Sequence, residues 1–469
     1  ADLALFSPDE LAGGLRLTCR HPALPGMVVE EPAPQETSPA QLPDTGDGGA
    51  ERAEALAVDL GTTSLHWAAL RADGTILAQG AEPNPQLGAG SEIMSRLSFA
   101  LAGHAGHLRE LVLARLRALH AACGRPPLLV VAGNPTMTAL LLAAPLAGLA
   151  RAPYRLDEPG GREVRLADDL PPCLVPPQFG PFVGGDVSAG IIALESAQAT
   201  GERPPAPWIL ADFGTNGEFA LALPDGRLLL TSVPMGPALE GVGLSRGCLA
   251  GPGAATGFAL TPAGLAPQVI GPWDEPALRG LSGTGAVSLL AQLRRAGALD
   301  VQGRFMTGNT APGQPGAAQP TPLAARLLAG LGEKRGETAL FLPGQLSFSA
   351  SDVEEVLKVK AACNLAFSRL LDEAGLAPQD ISALFLAGAL GSHAQPADLA
   401  ELGFIPPRLA TRANAAGNTS LAGARLLAVS PSAREAAVAL PGRASVIDLT
   451  ASAEYGSHFI QRMRFEYVP

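Results

Sequence analysis

Aromatic residues make up only 4% of this 469-residue chain and charged residues 16%. No apolar run is long. The longest, Thr138–Ala150, covers about 13 residues, short of the roughly 20 that span a bilayer, so no membrane segment is expected. No secretory leader is visible at Ala1, and there is no run of Lys and Arg. With a formal net charge of -11, that argues against nucleic acid as the main partner. The five cysteines include no CxxC pair, and the seven histidines show no HExxH or other ligand spacing. A disulfide framework and a zinc centre are therefore not expected, and a reducing, cytoplasmic location is. What remains is a globular composition, 47% hydrophobic, in a chain long enough for two to four domains.

One pattern occurs twice. Residues 56–64 read Leu-Ala-Val-Asp-Leu-Gly-Thr-Thr-Ser, and residues 209–217 read Ile-Leu-Ala-Asp-Phe-Gly-Thr-Asn-Gly. Each copy is an apolar strand running into Asp-x-Gly-Thr. An apolar stretch, an Asp-Gly turn (Asp73-Gly74, then Asp225-Gly226) and another apolar run follow in both places. Strand, hairpin and strand are expected twice, and an internal duplication explains them most simply.

The repeated unit carries specific chemistry. At a tight hairpin, Gly61 and Gly214 let the backbone approach a ligand closely. Flanking N–H groups and the side chains of Thr62, Thr63, Thr215 and Asn216 can grip phosphate oxygens. Asp59 and Asp212 are placed to organise a hydrated Mg²⁺. Two such hairpins facing each other would hold a triphosphate from both sides. A single Asp-x-Gly after a strand is also an ordinary turn, and the matching second copy is what favours phosphate binding.

Along the chain, residues 1–23 read as the end of a small domain, with a helix start at Phe6-Ser7-Pro8-Asp9-Glu10-Leu11 and nothing before it to pack on. Residues 24–54, rich in Pro, Glu, Thr, Gly and Asp, read as a flexible linker. Residues 55–200 hold the first hairpin, a helix near Leu108–Ala122, a strand Leu128–Ala132 and a helix beginning at Asn134. Residues 201–469 hold the second hairpin, a Gly-rich helix start near Gly280, a helix from Ser351 to about Glu373 and a strand Ala383–Leu386. Strands alternating with helices in both halves indicate two α/β lobes. The stretch Gly308–Pro322 is a Pro/Gly/Gln loop without an assignable role.

Two further segments join the hairpins. Gly184-Gly185-Asp186 opens a small-residue helix, and Asp186 there either caps the helix or positions a metal-bound or attacking water. Leu384 to Ser392 reads as a buried strand stopping at a glycine-rich turn. Bare backbone at Gly388, Ala389 and Gly391, with Ser392, could border an adenosine.

In this order the motifs resemble the actin-like (ribonuclease H-like) ATPase superfamily over roughly residues 55–430. Asn84-Pro85-Gln86, Gly133-Asn134-Pro135-Thr136-Met137-Thr138, Phe182 to Asp186, Asp212 to Glu218 and Gly417 to Ala424 resemble one branch in particular. That branch is the reductive activators of corrinoid proteins, which pair a plant-type [2Fe-2S] ferredoxin domain with an actin-like ATPase. The resemblance implies a two-lobed fold of duplicated βββαβα units preceded by a ferredoxin remnant. It implies ATP and Mg²⁺ as cofactors, a corrinoid protein and an electron donor as partners, and a homodimer. It also implies that Cys19, in Leu15-Arg16-Leu17-Thr18-Cys19, falls where the fourth cluster ligand would be. Three more cysteines would be needed upstream, so the cluster is expected in a longer protein only. Departures are Ser282 and Thr284, where relatives tend to carry Cys and Ser, and Pro135, where Thr is usual. The expected activity is ATP-dependent return of Co(II) to Co(I) in a corrinoid protein. The alternatives are a small-molecule kinase of the same superfamily and a nucleotide-binding actin-like scaffold.

Overall fold

The computed structural model describes residue 12 and residues 52–469, apart from positions 91, 198–204, 242, 263, 274–275, 307–320 and 452–453. The expectations for residues 1–23, for nearly all of the linker, for Cys19 and for the body of the 308–322 loop lie outside these residues.

Both Asp-x-Gly-Thr segments form the tight end of a hairpin. In the first sheet β1 (Ala55–Leu60) pairs antiparallel with β2 (Ser64–Leu70), and β2 with β3 (Ile76–Pro83). β4 (Leu128–Gly133) adds parallel to β1, and β6 (Cys173–Val175) and the edge strand β5 (Arg162–Val164) complete the order β3-β2-β1-β4-β6-β5. The second sheet repeats the scheme. β7 (Trp208–Phe213), β8 (Asn216–Ala222) and β9 (Leu228–Pro234) form the meander, and β16 (Ala383–Ala387) adds parallel to β7. β17 (Ala413–Gly417) and β18 (Ala444–Val446) close the order β17-β16-β7-β8-β9-β18.

The helices that bear on the site are α1 (Ile93–Phe99), α2 (Ala105–Ala122), α3 (Pro135–Leu141), α4 (Gly185–Ser196), α5 (Gly283–Arg295), α6 (Ala350–Ala374), α7 (Gly388–His393), α8 (Thr419–Val429) and α9 (Pro431–Ala439). Between β9 and α6 the second half carries an insertion with two small sheets that the sequence pattern did not reveal. One holds β10 (Ala254–Thr261), β11 (Gly264–Val269) and β12 (Gly280–Leu281). The other holds β13 (Leu331–Lys334), β14 (Glu337–Leu342) and β15 (Leu346–Ser349).

The two-residue period of the strands sets the layers. On β1, Leu56, Val58 and Leu60 pack under α2, whereas Ala55 and Ala57 face the other way. On β7, Ile209, Ala211 and Phe213 join the core of α6 and the insertion, whereas Trp208 and Leu210 face the other way. Those opposite faces share one core with α4, α8 and α9, so these helices fill the space between the sheets. The small residues let them sit close. A Cβ on Gly423 of α8 would lie 1.8 Å from the Ala189 carbonyl oxygen of α4, and one on Gly190 would lie 2.9 Å from Thr419 Oγ1. By strand alternation, Asp59 and Asp212 project on these shared faces. No helix among the described residues is long and apolar enough to cross a membrane.

Candidate nucleotide site

The first hairpin is braced from behind through its carbonyls. Asn84 Nδ2 donates to Gly61 O at 2.7 Å, and the Asn84 backbone N–H donates to Thr63 O at 2.9 Å. The fully buried Arg96 donates from Nη1 to Thr62 O at 2.6 Å and from Nη2 to Gly90 O at 2.7 Å. Burial pushes the Arg96 guanidinium down to about 10. With three consecutive carbonyls engaged, the loop's N–H groups and the Thr63 side chain, which is half-buried, remain to meet a ligand. Thr62 is nearly buried, and its Oγ1 accepts from Asn134 Nδ2 at 3.0 Å. Asn134 also caps α3 by accepting from Met137 N.

Asp59 is held across the molecule. Its Oδ2 accepts from Asn418 Nδ2 at 2.7 Å and its Oδ1 from Ser420 Oγ at 2.8 Å, and Asn418 at the same time caps α8. His66 stands directly opposite Asp59 on β2. Burial raises the Asp59 carboxyl above the usual range, while the Asn418 bond, the His66 charge and the Ser420 bond pull it back.

Asp186 occupies the second position of α4, whose first residue is Gly185 rather than Asp186 itself. The helix start is seated by Gln178, which accepts from Gly185 N at 3.0 Å and donates to Thr138 Oγ1 at 3.1 Å. Asp186 Oδ1 accepts only locally, from Val187 N at 2.8 Å.

Asp212 has no hydrogen-bond donor among the described residues. Glu218 stands directly opposite it on β8. Burial, then the charges of Asp186 and Asp59, push the Asp212 carboxyl up to about 7. Burial, partly offset by the Val187 N–H, and the Asp59 charge push Asp186 to about 7 as well. Burial, then the charges of Asp186, Asp212 and Glu240, hold Glu218 well above the usual carboxylate range. The fold thus brings Asp59, Asp186 and Asp212 together, and adds two carboxylates that sequence reasoning did not select.

The second hairpin is braced differently from the first. Thr215 Oγ1 donates to both oxygens of Glu240 at 2.9 Å, and Asn216 is half-buried beside Gly214, whose N–H donates to Asn216 O at 3.0 Å. The segment expected as a glycine-rich turn is the short helix α7. Gly388, at φ +76°, lies so close that a Cβ would meet Phe213 O at 2.5 Å and Asp212 Oδ1 at 2.6 Å. Ala389 is exposed and Ser392 half-buried, whereas Gly391 is buried, its Cα turned to Phe213 and Leu386. Ser282 caps α5 by accepting from Gly285 N and bonds to Thr284 Oγ1.

These donors suit a hydrated magnesium ion. Hard oxygens predominate, and among the described residues no cation offsets the mutual repulsion of Asp186, Asp212 and Glu218. Among the described residues no three acidic, His or Cys side chains converge tightly enough to enclose an ion alone. Magnesium meets both conditions, because it keeps several waters and takes one or two carboxylates plus substrate phosphate.

Comparison with known proteins assigns the family. Residues 54–198 match the RACo middle region, and residues 206–467 match the C-terminal domain of RACo, the ASKHA domain. The chain belongs to the RACo family. The fold is accordingly that of an actin-like ASKHA domain. Among curated relatives, the corrinoid activation enzyme RamQ of Eubacterium limosum is 24% identical, the match covering 87% of this chain and 70% of that protein. The [Co(II) methylated amine-specific corrinoid protein] reductase of Methanosarcina barkeri is 27% identical over 80% of this chain and 70% of that protein. Among solved structures, a reductive activator for corrinoid,iron-sulfur protein superposes with a TM-score of 0.73 at 22% identity, covering 89% of this chain and 67% of that one.

Proposed function

We propose that this RACo-family protein uses ATP hydrolysis to drive the one-electron reduction of Co(II) to Co(I) in a corrinoid protein. The observation that carries the ATP part is the set of uncompensated carboxylates Asp186, Asp212 and Glu218, gathered with Asp59 beside two Asp-x-Gly-Thr hairpins on facing sheets. The corrinoid part rests on the family and on the names of the two curated relatives.

In this reading Gly61, Thr62, Thr63, Gly214, Thr215 and Asn216 bind the phosphates, and Gly388, Ala389 and Ser392 border the adenosine. Gly391 supports that border from inside by letting α7 approach Phe213. Asp59 and Asp212 organise Mg²⁺, which would offset phosphate charge when bound. Asp186 and Glu218 accept or hold a proton beside the attacking water. ATP and water give ADP and phosphate, and the electron comes separately from a low-potential donor through an iron–sulfur domain to which Cys19 would belong. Closure of the two lobes on nucleotide, carried by the α4–α8 contact, links hydrolysis to the partner. We place the protein in the cytoplasm as a homodimer.

The test is to combine a version of the protein that carries the iron–sulfur domain with Ti(III) citrate and a Co(II) corrinoid protein from the source organism, and record the visible spectrum with and without Mg-ATP. The Co(I) band is expected to grow only with Mg-ATP, and with Asp212→Asn not at all. Equal growth without ATP would overturn the reading.

A further inference from the structure

The two hairpin threonines are wired in opposite senses. Thr62 Oγ1 accepts from Asn134 Nδ2 at 3.0 Å, which leaves the Thr62 proton for a ligand. The Thr215 proton is already committed, shared between Glu240 Oε1 and Oε2 at 2.9 Å each. A hydroxyl carries one proton, so a phosphate oxygen that accepts from Thr215 must take it from Glu240. Charge adds to that competition. Burial raises the Glu240 carboxyl above its usual range, the Thr215 bond pulls it back, and the Glu240 charge acts in turn on Glu218. Thr215 is also the only hydrogen-bond donor to the Glu240 side chain among the described residues. Losing that donor to a phosphate leaves the carboxylate unpaired and beside a like charge.

Glu240 ends the turn Pro237–Glu240, from which the chain enters the insertion. Gly241, at φ +84°, is pressed against the chain as it returns, for a Cβ there would lie 2.3 Å from the Cys248 carbonyl carbon. The returning chain is fastened to β12, because Cys248 N donates to Leu281 O at 2.8 Å and Leu281 N to Arg246 O at 2.7 Å. It is also tied to the cap of α6. Ser245 N donates to Asp352 Oδ1 at 2.6 Å and Ser245 Oγ to Asp352 Oδ2 at 2.7 Å. The turn itself abuts the start of α5, where a Cβ on Gly283 would meet Leu239 O at 1.9 Å. Movement of Glu240 is therefore felt at β12, α5 and α6 through direct contacts.

We propose that Glu240 is a positioning residue that holds the Thr215 hydroxyl away from nucleotide and is displaced by it, so that arrival of the phosphate moves residues 237–248. This rests on the reading that Thr215 binds a nucleotide phosphate. Glu240 then makes binding weaker than the hairpin alone would allow, and the difference is spent on moving the insertion.

Cys248 offers a reporter. It is half-buried, whereas Cys123, Cys173 and Cys363 are buried. The full chain and Glu240→Gln, which keeps one neutral acceptor for Thr215 and removes the competing charge, would be compared in two measurements. One is the affinity for magnesium adenylyl imidodiphosphate, a triphosphate analogue that resists hydrolysis, by equilibrium dialysis. The other is the rate of Cys248 alkylation by iodoacetamide, followed by peptide mass spectrometry. E240Q is expected to bind the analogue about ten-fold more tightly than the native chain. A Glu240 that merely braced the fold would weaken binding when lost. The analogue should speed Cys248 alkylation at least about three-fold in the native chain, and E240Q should show the faster rate with or without it. Thr215→Val should also show the faster rate without nucleotide, and Thr215→Ser, which keeps the hydroxyl, should not. Equal or weaker analogue binding by E240Q with native circular dichroism overturns the proposal. So does a Cys248 rate that the analogue leaves unmoved in a native chain that binds it, or, if E240Q does not fold, a native rate in Thr215→Val. A native chain that binds no analogue sinks the ATPase reading as well, whereas the other adverse results sink this proposal alone.

Discussion

Replacing Asp212 by Asn should stabilise the metal-free protein while abolishing its response to Mg-ATP. Asp212 protonates near 7 in the fold against 3.8 in the open chain, because burial and the charges of Asp186 and Asp59 disfavour its ionised form. The folded state therefore binds more protons than the unfolded state between those two values. The cost appears as pH rises through that window and is complete above about 7. At 1.36 kcal/mol per pH unit its ceiling is about 4 kcal/mol at pH 8. Because Asn must also be buried and the neighbouring carboxylates share the repulsion, a gain of about 2 kcal/mol is the working figure. Urea denaturation in EDTA at pH 5 and pH 8 would measure it. The advantage of Asp212→Asn over the native protein should widen from pH 5 to pH 8. Addition of Mg-ATP should raise the native midpoint and leave the variant's in place. A variant less stable than the native protein at pH 8 in EDTA would refute the argument, because Asp212 would then be serving the fold.

Arg96→Met leaves the Thr62 and Gly90 carbonyls unpaired in the interior, and should cost about 2–4 kcal/mol in chemical denaturation and raise the KM for ATP. Gly423→Leu must force α8 away from Ala189, and a fall in stability of about 3 kcal/mol or failure to fold is expected by thermal scanning. Asn418→Ala with Ser420→Ala removes both donors to Asp59 and should raise the KM for Mg-ATP about ten-fold with circular dichroism unchanged. Lys360 is fully buried, and burial and then the Arg462 charge push its ammonium down to about 7 from 10.5. The unfolded state then binds the extra proton between those values, so native stability relative to Lys360→Met should rise with pH, by about 1.4 kcal/mol per unit from 7 to 10. A flat difference would mean that the contacts of Lys360 Nζ to Asn364 Oδ1, Arg462 O and Glu466 O keep it protonated.

The legible parts of the molecule were those written in local sequence. Asp73-Gly74 and Asp225-Gly226 announced both meanders, and apolar periodicity placed the long helix of Ser351 to Glu373 within a residue or so of its observed ends at Ala350 and Ala374. In the small sheets of the insertion β12 has two residues and β13 four, too few to show a period, whereas β10, with eight residues, was long enough to be read. The partners of Asp59 escaped for another reason. Asn418 is 359 residues away along the chain, and Asn-Thr-Ser before a helix reads locally as an ordinary cap. Glu218 and His66 were within reach. Each lies opposite its aspartate in an antiparallel pair, and counting outward from the hairpin would have put both on the site's face.

That comparison exposes how the two copies differ. The first aspartate, Asp59, faces His66 and receives two hydrogen bonds; the second, Asp212, faces Glu218 and receives none among the described residues. Electrostatic compensation is therefore built into the first hairpin and withheld from the second. The hairpins also differ in bracing, since Asn84 and Arg96 engage three successive carbonyls of the first, while in the second Met235 N donates to Thr215 O and the Thr215 hydroxyl turns to Glu240. A hydrated cation arriving with a triphosphate gains most beside Asp212, Glu218 and Asp186, where repulsion is unrelieved. The first hairpin needs little rearrangement to meet the same ligand. In the proposed reading duplication supplies two phosphate-binding hairpins, and the different residues around them divide the work. In that reading one side is preformed and the other gains charge balance when nucleotide and metal bind, which is the differential affinity that a nucleotide-driven conformational change requires.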